Sequence, residues 1–214
     1  ESDKYVLFSG TPCQCAGLRN YLKKEYDNLY ICDIICHGVP SPKLFKDHLR
    51  MLEKNGKVKN YIFRSKVNGW HNHTEVVCYE DKGDYKSNLS QSFKQFFNSN
   101  LDLRECCYEC KFTNLNRVGD ITIGDFWNLE NVAPEFDDNR GTNLVLINTE
   151  KGKKLFGEIK EKIEYIDASN LDYIQSPLKE NVKKREKVDL FWKDYQEKGY
   201  NYVLKKLSKN KIFR

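Results

Sequence analysis

Two apolar runs too short for helices, each followed by a glycine-bearing turn and an amphipathic stretch, restrict how this chain can fold. Tyr5-Val6-Leu7-Phe8 leads into Ser9-Gly10-Thr11-Pro12-Cys13, after which Gln14–Glu25 reads as a helix with Ala16, Leu18, Tyr21 and Leu22 facing inward. Leu29–Ile35 leads into Cys36-His37-Gly38. Ser41-Pro42 then offers an N-cap and a first-turn proline for a helix to about Lys54, with Leu44, Phe45, His48, Leu49 and Leu52 on one stripe. A strand–helix–strand–helix order implies crossover connections, so the fold expected is α/β with parallel strands. Such units gather ligands at the C-terminal ends of their strands, where Cys13 and Cys36 fall.

The middle of the chain changes character. Val58–Ser65 and Thr74–Tyr79 read as antiparallel strands around the turn-rich Asn68-Gly69, and Tyr85–Leu89 as a third after Lys82-Gly83-Asp84. Ser92–Asn98 reads as a short helix. Beyond the cysteines at 106, 107 and 110, Asp120–Gly124 and Asn143–Asn148 read as strands, the second capped by Thr149 into a helix through Ile163. The fold class expected is therefore α/β: a mixed sheet with parallel strand–helix units, an antiparallel hairpin insertion and a helical C-terminus. Residues 1–165 are expected to form one domain and residues 166–214 a basic helical extension. The chain begins at Glu1, four residues before the first strand-like run, which suggests an excerpt of a longer polypeptide.

Composition removes several classes of function. At 214 residues roughly 70% of the unfolded surface can be buried, so no disulfide framework is needed. The longest aliphatic stretches, such as Leu144 to Ile147, are far too short to span a bilayer, so no integral membrane segment is expected. Turn cysteines without a secretory leader point to reduced thiols in a cytoplasm. The net charge of +5 is uneven: Lys179–Arg214 holds 12 basic and 5 acidic residues, a balance of +7 that leaves −2 for the rest. These lysines alternate with Val188, Phe191, Trp192 and Tyr195 at helical spacing, which describes an amphipathic helix with a solvated basic face, and no nucleic-acid partner is expected.

The cysteines carry the chemistry. Cys13 sits where a strand gives way to a helix, a position whose backbone N–H groups favour a thiolate. Cys107-x-x-Cys110 has chelate spacing. One thiolate at the end of each of two strands plus a CxxC turn can assemble four sulfur ligands around an iron–sulfur cluster. The same cysteines, with His37 as a substitute, could instead build a structural zinc site in a binding module. Cys13 alone could also serve as an activated nucleophile. Cys15, Cys32 and Cys78 fall inside helix- or strand-like stretches and read as ordinary core or surface residues, and Cys106 as a spare. His71-Asn72-His73 reads as part of a polar hairpin turn. Asp120 and Asp125 flank their strand, either as turn caps or as cofactor or cation contacts.

Four motifs occur in order: Phe8-Ser9-Gly10-Thr11-Pro12-Cys13-Gln14, Cys36-His37-Gly38-Val39-Pro40-Ser41-Pro42, Cys107-Tyr108-Glu109-Cys110-Lys111-Phe112 and Asp120-Ile121-Thr122-Ile123-Gly124-Asp125-Phe126-Trp127. With the segment Gly141–Thr149 they resemble the C-terminal region of the coenzyme F420 hydrogenase/dehydrogenase beta-subunit family. The resemblance implies an iron–sulfur flavoprotein oxidoreductase, with a [4Fe-4S] cluster passing electrons to FAD. It carries the cluster ligands onto Cys13, Cys36, Cys107 and Cys110. It places Gly10, Thr11, Pro12, Gln14 and Asp125 near flavin or cluster, with Arg64 and Lys66 as cations facing flavin or phosphate. The partners it implies are an electron-donor protein or ferredoxin-like domain and a small-molecule acceptor; the basic C-terminal helices are expected to be a docking face for an acidic electron-donor protein or another subunit. The lysine- and asparagine-rich composition fits a low-GC bacterium, where an acceptor other than the deazaflavin F420 is expected.

Overall fold

The computed structural model describes residues 4–81, 83–85 and 92–209. Along the chain the elements are β1 (Val6–Gly10), α1 (Pro12–Leu22), β2 (Leu29–Ile34), α2 (Pro42–Leu52), β3 (Val58–Ser65), β4 (Thr74–Tyr79), β5 (Gly83–Tyr85), α3 (Ser92–Asn98), α4 (Glu105–Tyr108), β6 (Ile121–Asp125), α5 (Leu129–Val132), β7 (Asn143–Ile147), α6 (Glu150–Ile159), α7 (Lys187–Lys198) and α8 (Tyr200–Lys209). The class is α/β, as the alternation of apolar runs and amphipathic stretches predicts. Among the described residues no helix is long and apolar enough to cross a membrane.

The chain divides into two compact units, each made of separate segments: residues 1–37 with 110–181, and residues 38–109 with 182–214. Each unit is discontinuous along the chain.

The first unit holds a four-stranded mixed sheet in the order β1-β2-β6-β7. β1, β2 and β6 run parallel, and β7 returns antiparallel to β6. Parallel β1 and β2 require the crossover that α1 supplies. Pro12 stands at the first position of α1, where a missing N–H costs nothing, and Thr149 caps α6 by accepting the Gly152 N–H at 3.0 Å. One expectation for α1 is overturned. Tyr21 is 83% exposed, and the inner face centres on Cys15, which is fully buried. The helix begins at Pro12 rather than Gln14, so the buried turn repeat runs from Pro12 to Cys15.

The second unit combines the antiparallel sheet β3-β4-β5 with α2, α3, α4, α7 and α8. Ser41 Oγ accepts the Leu44 N–H at 3.4 Å and starts α2 as expected. The third strand is Gly83–Tyr85; residues 86–89 of the expected strand lie outside the described residues. The predicted stripes of α2 and α7 meet in one core, where Leu44, Phe96 and Val188 are fully buried. Complete burial of such a side chain contributes roughly 1.5–3 kcal/mol before conformational entropy is counted. Asp194 on α7 is drawn into this unit by Lys198 and Lys206, each 2.7 Å from one of its oxygens. Lys184 is likewise held by Glu105 at 2.8 Å and Asp189 at 2.9 Å. Part of the positive charge counted in the C-terminal sequence is thus neutralised within its own unit.

Candidate metal centre

Register places two cysteines and an aspartate along one strand edge of the first unit. Gly10 pairs with Asp33, and Ile34 with Ile123. Cys13 therefore follows β1, and Cys36 follows β2, three residues beyond a paired position. Asp125 ends β6 two residues past Ile123, as Cys36 stands two residues past Ile34. The backbone continues this order, since the Ile35 N–H donates to the Ile123 carbonyl at 2.8 Å. Cys13 is exposed at the second position of α1, and Thr11 Oγ1 lies 3.1 Å from its sulfur. Cys36 is half-buried.

Cys110 belongs to the same unit and opens the segment leading to β6. Thr113 Oγ1 donates to the Cys110 carbonyl at 3.2 Å. Arg117, with its side chain 1% exposed, donates to the carbonyls of Phe112 (2.8 Å), Asn114 (3.2 Å) and Ile34 (3.0 Å), to Asp33 Oδ1 (3.1 Å) and to Thr122 Oγ1 (3.2 Å). Asp33 is fully buried and also accepts the Thr122 hydroxyl and the N–H groups of Val118 and Gly119. The cysteine-bearing segment and the end of β2 are thereby joined by one guanidinium.

Cys107 belongs to the second unit, in α4, three residues before Cys110 along the chain. Its sulfur accepts the Val39 N–H at 3.4 Å, and its own N–H donates to the Arg104 carbonyl at 2.9 Å. Cys106 is exposed. Gly38 introduces the Val39 turn with φ of +153°, and a Cβ there would stand 2.9 Å from Leu103 Cδ1. Only glycine fits both that torsion and that contact.

The residues expected beside flavin fall into two groups. In the first unit, the turn from Gly10 to Gln14 closes on itself: Gln14 Oε1 accepts both the Thr11 N–H at 2.9 Å and the Thr11 hydroxyl at 3.0 Å, while Pro12 is buried. The side chain of Gln14 thus serves its own helix start. In the second unit, Arg64 and Lys66 project from β3 and its end over the Trp70 ring, at 4.5 and 5.2 Å from its centroid. Trp70 stacks on His73, whose Nδ1 lies 2.9 Å from the Trp70 carbonyl, so this histidine belongs to the turn between β3 and β4.

Several buried groups escaped the sequence reading of the site. Asp33 and Arg117 are two; the signal for the first was an acid inside the apolar run from Leu29 to Ile35. Asp120, expected either to cap a turn or to contact a cation or cofactor, is a structural node: it accepts the Ile31 N–H at 2.8 Å and the Thr149 hydroxyl at 2.9 Å. In the second unit, burial pushes Glu75 and Asp102 up to about 7. Both carboxyl oxygens of Asp102 are buried without a hydrogen-bond partner among the described residues. Burial also lowers His48 to about 4, between the hydroxyls of Tyr200 at 2.7 Å and Tyr61 at 3.2 Å. Cys15, expected to be an ordinary core or surface residue, is fully buried, its thiol pushed up to about 11 by burial and then by Asp33.

The donor set suits an iron–sulfur group. Among the described residues all eight cysteines are thiols, and the sulfur of Cys107 already receives an amide N–H of the kind that tunes cluster sulfur. Residues 3–172 match the family described as the C terminus of the coenzyme F420 hydrogenase/dehydrogenase beta subunit. No curated protein is matched in sequence. Among solved structures, a chain of the xenon-derivatised F420-reducing [NiFe] hydrogenase complex from Methanosarcina barkeri is similar, at 15% identity and a TM-score of 0.44. The match covers 99% of the present chain and 63% of that one, less than two thirds of its length.

Proposed function

The chain belongs to the family formed by the C-terminal regions of coenzyme F420 hydrogenase/dehydrogenase beta subunits, and from that premise we propose that it is the cluster-bearing part of an iron–sulfur flavoprotein oxidoreductase. In this reading Cys13, Cys36, Cys107 and Cys110 are the thiolate ligands of a [4Fe-4S] cluster. When bound, the cluster supplies single electrons and FAD exchanges them in pairs at the level of hydride chemistry. The observation that carries the reading is the shared register by which β1 and β2 bring Cys13 and Cys36 to one strand edge.

The chain's own residues contribute position and hydrogen bonds. Cys13 starts a helix, where backbone N–H groups favour sulfur carrying negative charge. Thr11 Oγ1, whose own hydrogen goes to Gln14 Oε1, lies 3.1 Å from that sulfur, and the Val39 N–H donates to Cys107. Gly10, Thr11, Pro12 and Gln14 form the turn at the start of the 11-residue α1, an arrangement suited to a cofactor's phosphate. Asp125 ends the neighbouring β6, and in the second unit the cations Arg64 and Lys66 are assigned to flavin or phosphate. A reduced cytoplasmic setting keeps such thiols available. The electron donor is an acidic protein or ferredoxin-like domain docking on the basic C-terminal helices, and the acceptor is a small molecule.

The test is anaerobic expression of the whole polypeptide, followed by analysis for iron, acid-labile sulfide, zinc and flavin. Cys→Ser variants at positions 13, 36, 107 and 110 should each lose iron and sulfide together, with Cys106→Ser as the control that keeps them. Colourless protein holding one zinc and no sulfide overturns the redox reading. Iron retained in Cys36→Ser removes that residue from the ligand set.

A further inference from the structure

We infer that the buried Asp33–Arg117 pair is a positioning device that fixes the separation between the Cys36 turn and the Cys110 turn, an inference that rests on the cluster reading above. The carbonyl of Ile34 lies two residues before Cys36, and that of Phe112 two residues after Cys110. Arg117 holds both at once, through Nη2 at 3.0 Å and Nη1 at 2.8 Å. A guanidinium is planar and rigid, so two carbonyls bonded to its two ends have their relative placement set by the fork itself. A third bond, to the Asn114 carbonyl at 3.2 Å, closes the loop that follows Cys110.

Asp33 holds the fork in orientation. Its Oδ1 lies 3.1 Å from Arg117 Nη2 and accepts the Thr122 hydroxyl at 2.5 Å, while Oδ2 takes the amides of Val118 and Gly119 at 3.2 and 3.0 Å. The loop presses so closely on the sheet that a Cβ at Gly119 would come within 2.8 Å of the Asp33 nitrogen and 2.7 Å of the Ile121 carbonyl. Ion pairs this buried add little net stability compared with apolar packing. Direction is what this pair supplies: all five guanidinium bonds go to the cysteine-bearing loop, the end of β2 or the strand beside it. Outer partners that orient metal ligands in this way change metal retention when altered.

The experiment uses the anaerobically loaded whole polypeptide and its Arg117→Lys variant. Iron and sulfide content, the rate of iron loss to a ferrous chelator, the electron paramagnetic resonance spectrum of the reduced protein and far-ultraviolet circular dichroism are measured on both. Arg117→Lys keeps the charge and loses the fork. The expected result is an unchanged dichroism spectrum, iron release about 10–100-fold faster and shifted g-values. A folded Arg117→Lys protein with wild-type release and wild-type g-values overturns the inference. The milder Thr122→Val, which removes one acceptor from Arg117 and one donor to Asp33, should show the same change to a smaller degree. If both variants fail to fold while Cys110→Ser folds, the pair belongs to the fold alone and the positioning role is lost. A wild-type protein without iron and sulfide sinks the cluster reading itself, before any variant is compared.

Discussion

Gly10 lies opposite Asp33 in the last pair that β1 makes with β2, before β1 gives way to α1. Three residues later one segment reaches Cys13 and the other Cys36. A one-residue slip in this parallel pair would exchange the faces of every side chain paired in it.

Cys13 and Cys15 differ only by position along α1, and they should react very differently. Cys13 is exposed, whereas Cys15 is fully buried and its thiol is pushed up to about 11 by burial. In metal-free protein at pH 8, iodoacetamide should label Cys13 within minutes and leave Cys15 unmodified until denaturant is added, as read by peptide mass spectrometry. Equal labelling of the two in the native protein contradicts the structure.

Asp102 gives a pH dependence with a definite sign. Burial raises its carboxyl from 3.8 to about 7 in the folded chain. Between about pH 4 and 7 the unfolded chain gives up a proton that the folded chain keeps, so stability falls as pH rises through this window. Glu75, raised from 4.5 to about 7, acts in the same direction; His48, lowered from 6.5 to about 4, acts in the opposite one. Asp102→Asn removes one of these contributions. Its Tm relative to wild type should rise between pH 5 and pH 8 by roughly 5 °C, at about 2–4 °C per kcal/mol for a chain of this size. A Tm difference that does not change with pH refutes the assignment.

His48 is fully buried and joins the hydroxyls of Tyr200 and Tyr61. His48→Ala leaves a cavity and takes a hydrogen-bond partner from each tyrosine. Urea denaturation should show a loss of about 2–4 kcal/mol. A loss below about 1 kcal/mol would mean that the site collapses without cost, contrary to its packing.

Gly38→Ala forces a side chain onto φ of +153° and toward Leu103. The Pro40–Leu103 bridge and the Val39 N–H bond to the Cys107 sulfur lie immediately beyond. The substitution should cost about 1–3 kcal/mol in denaturant titrations. It should also raise the reactivity of Cys107 toward alkylation, which a purely local strain would leave unchanged.

What could be read from the sequence was whatever depends on periodicity and punctuation. The run from Leu29 and the cap Ser41-Pro42 announced β2 and α2, because apolar spacing and proline geometry act over a few residues. The face of α1 was misread because Cys15 looks like an ordinary small residue, while Tyr21 looks like a core aromatic. Asp33 and Arg117 were missed for a different reason. Their pairing spans 84 residues and exists only once β6 has taken its place beside β2. Asp102 was also overlooked, since an acid between Leu101 and Leu103 signals burial only when its surroundings are known. The glycine turns ending in Cys13 and Cys36 stood out in the primary structure; the groups that hold the neighbouring loop did not.

The core that contains Leu44 and Phe96 is completed by Val188, Phe191, Tyr195 and Val203, which lie on α7 and α8. Cutting the polypeptide after Asn181 would therefore uncover an apolar surface on the segment from Gly38 to Glu109, and a shortened product would precipitate rather than behave as a smaller working module. For the same reason, that half cannot close until the segment carrying Val188 to Val203 has left the ribosome.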